Sequence, residues 1–376
     1  MEENKRNNNK KKKRNRRLLL LAMGIFLFVY GWFWKVYYDV NGTGNNIFNH
    51  VNINDKRDGQ LASISASEPI SFALLGVDNG VVDRADEPGR TDAIIVGTVN
   101  PKTKKTTLIS IPRDSYALME GYETSWGDPY YDKLTHAYAF GEAEMAIDSI
   151  QELLNIPIDY YVEVNMQGLM DVVDAIGGIQ ITSPLTFDYQ GNYFVEGKKQ
   201  KLDGKEALAF SRMRKTDPEG DFGRQKRQKM VVEAIINKLL SFSTLTRYQS
   251  VLKTMQDNVK TNIPFRDMGN IVAGYRNALN NIQQDSLYGE ELWLDEVYYL
   301  YIDPYDRLEV SNHLREELEL DTVELADLNL SDTDYYYLDN PYYYTDDTYE
   351  ESYYEESYDE TIYQEPEVYD EEESDF

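Results

Sequence analysis

Two short stretches, far apart in the chain, set arginines among carboxylates. The first runs from Asp78 through Arg90-Thr91-Asp92 to Pro112-Arg113-Asp114. The second runs from Ser211-Arg212-Met213-Arg214 to Gly223-Arg224-Gln225-Lys226-Arg227-Gln228. A guanidinium is a planar fork of N–H donors that grips phosphate oxygens in pairs, and paired carboxylates hold Mg2+ on phosphates. Together they make a polyphosphate ester the first substrate class to consider. A structural reading stands beside the chemical one at each position. Asp78 and Asp92 could cap strands or turns, Asp114 could orient Arg113, and Arg212 and Arg214 could decorate an exposed strand face. Lys226 and Arg227 read as a solvated or membrane-facing side of a basic helix. With no cysteine and three scattered histidines, His136 among them, the chain offers no thiolate chemistry and no histidine metal spacing.

The elements that must position these residues alternate between two periods. Ile70–Val77, Ala93–Val99 and Thr106–Ile111 are short apolar runs of β type, the last two joined at Asn100-Pro101-Lys102-Thr103 as a hairpin. Lys133–Leu154 has helical spacing, Tyr160–Val164 is strand-like, and Met166–Ile176 is a helix closed by Gly177-Gly178. Ile179–Thr182 is a further strand and Lys205–Phe210 a short helix. After it the tetrad 211–214 is expected to be extended, with its two arginines on one face. An acidic loop at Asp217–Gly220 precedes a helix from an N-cap at Asp221 to Leu240, on which Arg224 and Gln228 are spaced i, i+4. Helices near Tyr248–Met255, Met268–Leu279 and Asn312–Leu318 and a strand at Val297–Tyr301 complete the pattern. Such alternation predicts an α/β protein, an α/β/α sandwich around a mixed central sheet.

Charge divides the chain into three. Of the net charge of −28, 24 acidic residues lie between Glu316 and Phe376, where no Lys or Arg follows Arg315, so the body carries only about −4. Residues 1–17 form a basic head, and residues 18–38 an apolar run flanked by Trp32, Trp34, Tyr37 and Tyr38. That is one transmembrane helix with an aromatic belt and no small-residue cleavage site; the basic head stays cytoplasmic and the rest lies outside. Residues 39–67 read as a linker, 68–320 as the catalytic domain and 321–376 as an acidic, Tyr-rich disordered tail.

The ordered set of motifs resembles one family, the LytR-CpsA-Psr proteins of bacterial cell envelopes. The resemblance rests on Leu75-Gly76-Val77-Asp78, Gly89-Arg90-Thr91-Asp92, Ser110-Ile111-Pro112-Arg113-Asp114 and Val173-Asp174-Ala175-Ile176-Gly177-Gly178. Leu202-Asp203-Gly204, Ser211-Arg212-Met213-Arg214 and Asp221-Phe222-Gly223-Arg224-Gln225-Lys226-Arg227-Gln228 complete it. It implies a membrane-held phosphotransferase that moves a glycopolymer (teichoic acid, capsule or another wall polysaccharide) from a polyprenyl-pyrophosphate carrier to peptidoglycan. It also implies Mg2+ (or Mn2+) on Asp78 and Asp92, and phosphate binding by Arg90, Arg113, Arg212, Arg214, Arg224 and Gln228. Asp92, Arg113 and Arg224 form the implied catalytic set, with Asp92 taking the proton of the incoming hydroxyl. The carrier's tail would lie in an apolar tunnel, for which Val172, Ile176, Ile235 and Leu239 are candidates. One departure is that Asn79-Gly80 follow Asp78 where the family often has an arginine; Arg84 comes later. Two alternatives stay open: a pyrophosphatase acting on the same carrier, and a non-catalytic polyprenyl-phosphate binder that regulates envelope assembly. A nucleic-acid partner is not expected, because the 17-residue head has no helix-turn-helix pattern.

Overall fold

The computed structural model describes residues 48–49, 51, 56–57, 62–64, 67–78, 89–122, 124–240, 258–264, 267 and 270–340. Strands β1 (Ile70–Asp78), β2 (Arg90–Asn100) and β3 (Lys105–Ile111) pair antiparallel in succession. A short hairpin, β4 (Tyr116–Leu118) with β5 (Tyr131–Lys133), leads into helix α1 (Leu134–Leu154). β6 (Tyr160–Asn165), α2 (Met166–Ala175) and β7 (Ile179–Thr182) follow, then β8 (Phe187–Tyr189), β9 (Asn192–Phe194) and β10 (Lys199–Leu202). Helices α3 (Gly204–Arg212) and α4 (Gly220–Leu239) come next. Beyond residue 258 lie β11 (Val259–Thr261), a π-turn at Ile271–Tyr275 running into α5 (Arg276–Leu279), and β12 (Ile282–Ser286). The β13 (Glu290–Leu294) and β14 (Val297–Tyr301) hairpin and α6 (Pro304–Glu317) follow.

The central sheet has the order β11-β6-β1-β2-β3-β12. It is mixed: β6 runs parallel to β1 and β12 parallel to β3, while the other neighbours are antiparallel. The carboxyl ends of β1, β3, β6 and β12 therefore meet the amino end of β2 along one edge. Helices cover both faces, as the alternating sequence predicts. On one, Ala73, Leu75, Val96 and Ile109 pack with Leu134, Ile147 and Ile150 of α1 and Leu314 of α6. On the other, Phe72 and Val99 meet Tyr275 and Ala278. Local chemistry sets the helix starts: Asp203 and Glu206 form a reciprocal capping box for α3, and Asp303 caps α6 ahead of Pro304.

Several expectations change. The tetrad 211–214 is not extended: α3 continues through Ser211-Arg212, and only at Met213 does the backbone leave the helix. The capping box and the run of helix formers behind it carry the helix two residues further than the sequence suggests. The last helix begins at Pro304, two turns before the expected Asn312. Part of the expected linker is built into the domain. Ala62 and Ile64 are buried, and Asp159, itself buried, accepts bonds from Arg57 Nη2 (3.1 Å) and the Ala62 amide (3.1 Å). The acidic end is likewise more ordered than composition implies, since Leu325–Asp327 forms a 3-10 turn whose Asp327 carbonyl accepts from Asn155. From Asp332 onward a separate compact unit begins, of which α7 (Asp332–Asp339) is described. No described helix is long and apolar enough to cross a membrane. The expected span at 18–38, the helix near 248–255, Arg84 and residues 341–376 lie outside the described residues.

Candidate active site

The site grows from an irregularity in the β1–β2 ladder. Gly76 faces Ala93 but Val77 faces Thr91, so Asp92 is the extra residue of a β-bulge. A bulge breaks the strict alternation of side chains and re-aims the residue that forms it. The Asp92 carboxylate thereby meets Arg113, just past the end of β3, whose Nη1 donates to Asp92 Oδ1 at 2.7 Å. Arg113 also reaches Asp114 through Nε at 3.4 Å, and Lys133 Nζ lies 3.2 Å from the same carboxylate. Asp114 therefore orients Arg113, as expected. Asp78 and Arg90 are ladder partners closing the same edge.

Helix α4 brings the second group. Arg224 Nη2 lies 2.7 Å from Asp221 Oδ1, and Arg214 Nη1 approaches the same oxygen at 3.8 Å. Gln225 Nε2 donates to the other Asp221 oxygen at 3.1 Å and so holds the carboxylate in place. The two groups sense each other's charge. Burial would lower the Arg113 pKa, but Asp92, Asp114 and Asp221 outweigh it and raise the value above the ordinary one. The Arg224 pKa falls, first through burial and then through the positive charges of Arg113 and Arg214, against the pull of Asp221 and Asp92. Arg224 Nε is buried without a hydrogen-bond partner among the described residues. Three guanidiniums crowded on two aspartates, one with a spare buried donor, form a place for an anion.

The expected residues do not all converge to the same degree. Asp92, Arg113, Arg214 and Arg224 share one electrostatic cluster. Arg212 is half-buried at the end of α3, Gln228 half-buried one turn beyond Arg224, and Arg90 exposed. Of the tunnel candidates, Val172 and Ile235 pack with Val162, Val164 and Val259, and Ile176 is buried in the neighbouring apolar cluster. Leu239 lies at the surface. Arg227 is corrected outright: it is fully buried, not solvated or membrane-facing. It is ion-paired to Asp217 and donates to the carbonyls of Met213 and Phe210, the latter through Nε at 3.0 Å. The acidic loop at Asp217–Gly220 is thus folded back onto α4, and Arg227 fixes the segment bearing Arg212 and Arg214. Gly223 makes this possible, because a Cβ there would collide with the Asp217 carboxylate. Lys226, by contrast, pairs with Glu219 at the surface. His136 binds Asp132 at 2.8 Å, a contact between α1 and the strand before it.

Sequence reasoning missed Asp221, Lys133 and Tyr298. Tyr298 stands beside both halves of the cluster: its pKa is raised by burial and then by Glu291, Asp114 and Asp221. Lys229, buried further along α4, donates to Ser286 Oγ at 2.7 Å and to the Asp285 carbonyl at the end of β12, and burial lowers its pKa to about 8. Asp221 carried a signal, since it stands three residues before Arg224; Tyr298 carried none beyond membership of a strand.

The model of the LytR_cpsA_psr family matches residues 35–316. The chain belongs to this family. Among its curated members, the polyisoprenyl-teichoic acid–peptidoglycan teichoic acid transferase TagU of Enterococcus faecalis is 41% identical over 298 residues, 79% of this chain and 95% of the relative. A crystal structure from Enterococcus faecalis described as a transcriptional regulator is 40% identical, with a TM-score of 0.64, over 75% of this chain and 98% of that one. A structure of TagT bound to LI-WTA is 30% identical with a TM-score of 0.59, over 72% of this chain and all (100%) of that one. The family match spans both arginine-bearing segments and the whole central sheet of this LytR-CpsA-Psr protein.

Proposed function

We propose that this protein is a membrane-anchored phosphotransferase that moves a glycopolymer from a polyprenyl-pyrophosphate carrier to peptidoglycan, leaving a phosphodiester link. The observation that carries the reading is the like-charge crowding of Arg113, Arg214 and Arg224 at the carboxyl edge of the sheet. Guanidiniums held this close gain most when a polyanion occupies the space between them. The TagU relatives, named for this transfer, supply the substrate class.

In the step proposed, a sugar hydroxyl of the acceptor attacks the phosphorus next to the glycan. Its proton passes to the Asp92 carboxylate, the bond from that phosphorus to the bridging oxygen breaks, and polyprenyl phosphate leaves. Arg113 and Arg224 face the charge that gathers on the phosphoryl oxygens and the leaving group, and because they are fixed by Asp114 and Asp221 they need no reorganisation.

The residues present suit a divalent cation. Asp78 and Asp92 are hard oxygen donors at one sheet edge, and Asp92 spends Oδ1 on Arg113. Among the described residues no three Asp, Glu, His or Cys side chains converge. Mg2+ takes one or two carboxylates and fills its remaining positions with phosphate oxygens and water. When bound, the ion would neutralise charge on the pyrophosphate. The basic head and the apolar run 18–38 would hold the domain at the outer membrane face, beside its lipid carrier.

The test incubates the full chain in detergent with Mg2+, a polyprenyl-pyrophosphate saccharide and a peptidoglycan oligomer, and follows products by mass spectrometry. A saccharide-phosphate adduct on the oligomer supports the transferase. Released saccharide phosphate without adduct makes it a pyrophosphatase, and tight donor binding with no turnover makes it a binder.

A further inference from the structure

The β13–β14 hairpin stands beside the arginine cluster and has no role in the chemistry described. It is joined to the site's own loop: the Leu300 amide donates to the Asp114 carbonyl at 2.8 Å, and Ser115 bridges Leu300. Trp293 and Tyr298 are cross-strand partners on one face of it, their rings 5.5 Å apart and nearly perpendicular. Trp293 is 62% exposed, whereas Tyr298 is half-buried against the site. Lys133, which contacts Asp114, lies 5.5 Å over the Tyr298 ring. In the connection between β12 and the hairpin, exposed Tyr288 packs on Phe222 of α4 at 4.9 Å, next to Asp221. Aromatic rings thus lead outward from the phosphate-binding edge.

Single exposed aromatics are ordinary. What singles out this face is its place and its charge. Of the other exposed residues of the hairpin, Glu290, Glu291, Asp295 and Glu296 are acidic and only Val297 is apolar. Asp295 and Glu296 form the two-residue turn with φ of 47° and 66°, a left-handed pair that Asn-Gly would adopt with less strain. A phosphate-rich polymer is repelled by such a rim. Neutral N-acetylated sugars are not: their axial C–H faces stack on indole and phenol rings, and their hydroxyls and amides can donate to the rim carboxylates.

We propose that the Trp293–Tyr298 face is the platform on which the acceptor's neutral glycan strand lies, with its hydroxyl directed past Tyr298 to the cluster of Asp92, Arg113 and Arg224. The proposal rests on the transferase reading, and it assigns the hairpin to acceptor recognition and not to the donor.

The test uses the full chain in detergent and a GlcNAc–MurNAc oligomer whose lactyl carboxyls are capped as amides, so that the strand is neutral, with binding measured by calorimetry and acceptor and donor KM by transfer assay. For Trp293→Ala, oligomer Kd and acceptor KM rise about tenfold while donor KM stays within about twofold, and Trp293→Phe recovers most of the loss. An unchanged melting temperature is expected for so exposed a side chain. Equal oligomer affinity in the wild type and Trp293→Ala overturns the proposal. So does a rise in donor KM alone, or a loss of affinity for anionic vesicles with oligomer binding intact, which would make the face a membrane contact. If the wild type binds the oligomer through Trp293 yet forms no adduct with any donor, the platform stands and the transferase reading fails.

Discussion

Arg224 and Arg227 lie three residues apart on one helix, yet they have opposite tasks. Arg224 faces the anion site with a spare buried N–H, whereas Arg227 is consumed by Asp217 and two carbonyls. Replacing each by alanine separates the two. Arg224→Ala lowers kcat by ~10²–10³-fold, the usual loss for one preorganised oxyanion donor, with the urea midpoint unchanged. Arg224→Lys restores little, because an ammonium cannot reproduce the fork. Arg227→Ala leaves Asp217 buried and unpaired, and costs about 3–5 kcal/mol in the same urea experiment. The family resemblance put Arg224 in the site, but sequence reading left Arg227 at the surface, since its burial comes from a loop that folds back and is visible only in three dimensions. Lys229 adds a pH signature. Its folded value of about 8 lies below its unfolded value of ~10.4, so between those values the unfolded chain binds more protons and folding gains stability as pH rises. The stability difference between wild type and Lys229→Met should therefore move in favour of wild type from pH 8 to 10, by urea unfolding at each pH. A flat difference would show that Lys229 keeps an ordinary pKa.

Strands and their turns were the legible part of the structure. β1, β2 and β3 follow their apolar alternation closely, and the turn at 101–104 is where Asn100-Pro101 placed it. What alternation cannot reveal is the bulge at Asp92, because one extra residue leaves no mark in the pattern of residue types. The same limit hid the continuation of α3 through Arg212, which a capping box ten residues upstream helps to determine. Gly223 is the element-scale residue with the sharpest consequence. Gly223→Ala forces the Asp217 carboxylate away from α4, which loosens the Arg227 clamp and the segment carrying Arg214. The expected outcome is a loss of about 1–3 kcal/mol in stability, together with a lower kcat, read by urea unfolding and transfer assay on the same preparation.

At the scale of the whole molecule the site lies at the carboxyl edge of a mixed sheet, where strand ends and the N-terminal turns of α4 converge. Along the chain the charge is segregated, with a basic head and apolar run at one end and an acidic stretch at the other. If residues 18–38 are the anchor, the full chain stays with membranes through alkaline carbonate washing, and deletion of 18–38 releases it. Release of the intact chain by carbonate would remove the anchoring proposal. The central claim, that Asp92, Arg113 and Arg224 together hold and transfer one phosphoryl group, is tested most directly by single-turnover transfer. Wild type, Asp92→Asn, Arg224→Ala and the exposed control Lys215→Ala are mixed with labelled donor and acceptor oligomer, and the adduct is followed with time by mass spectrometry. The expected result is adduct from the wild type and Lys215→Ala, and a rate at least ~10²-fold lower from the other two. Transfer by Asp92→Asn and Arg224→Ala at rates close to wild type would contradict the claim and move the chemistry elsewhere in the molecule.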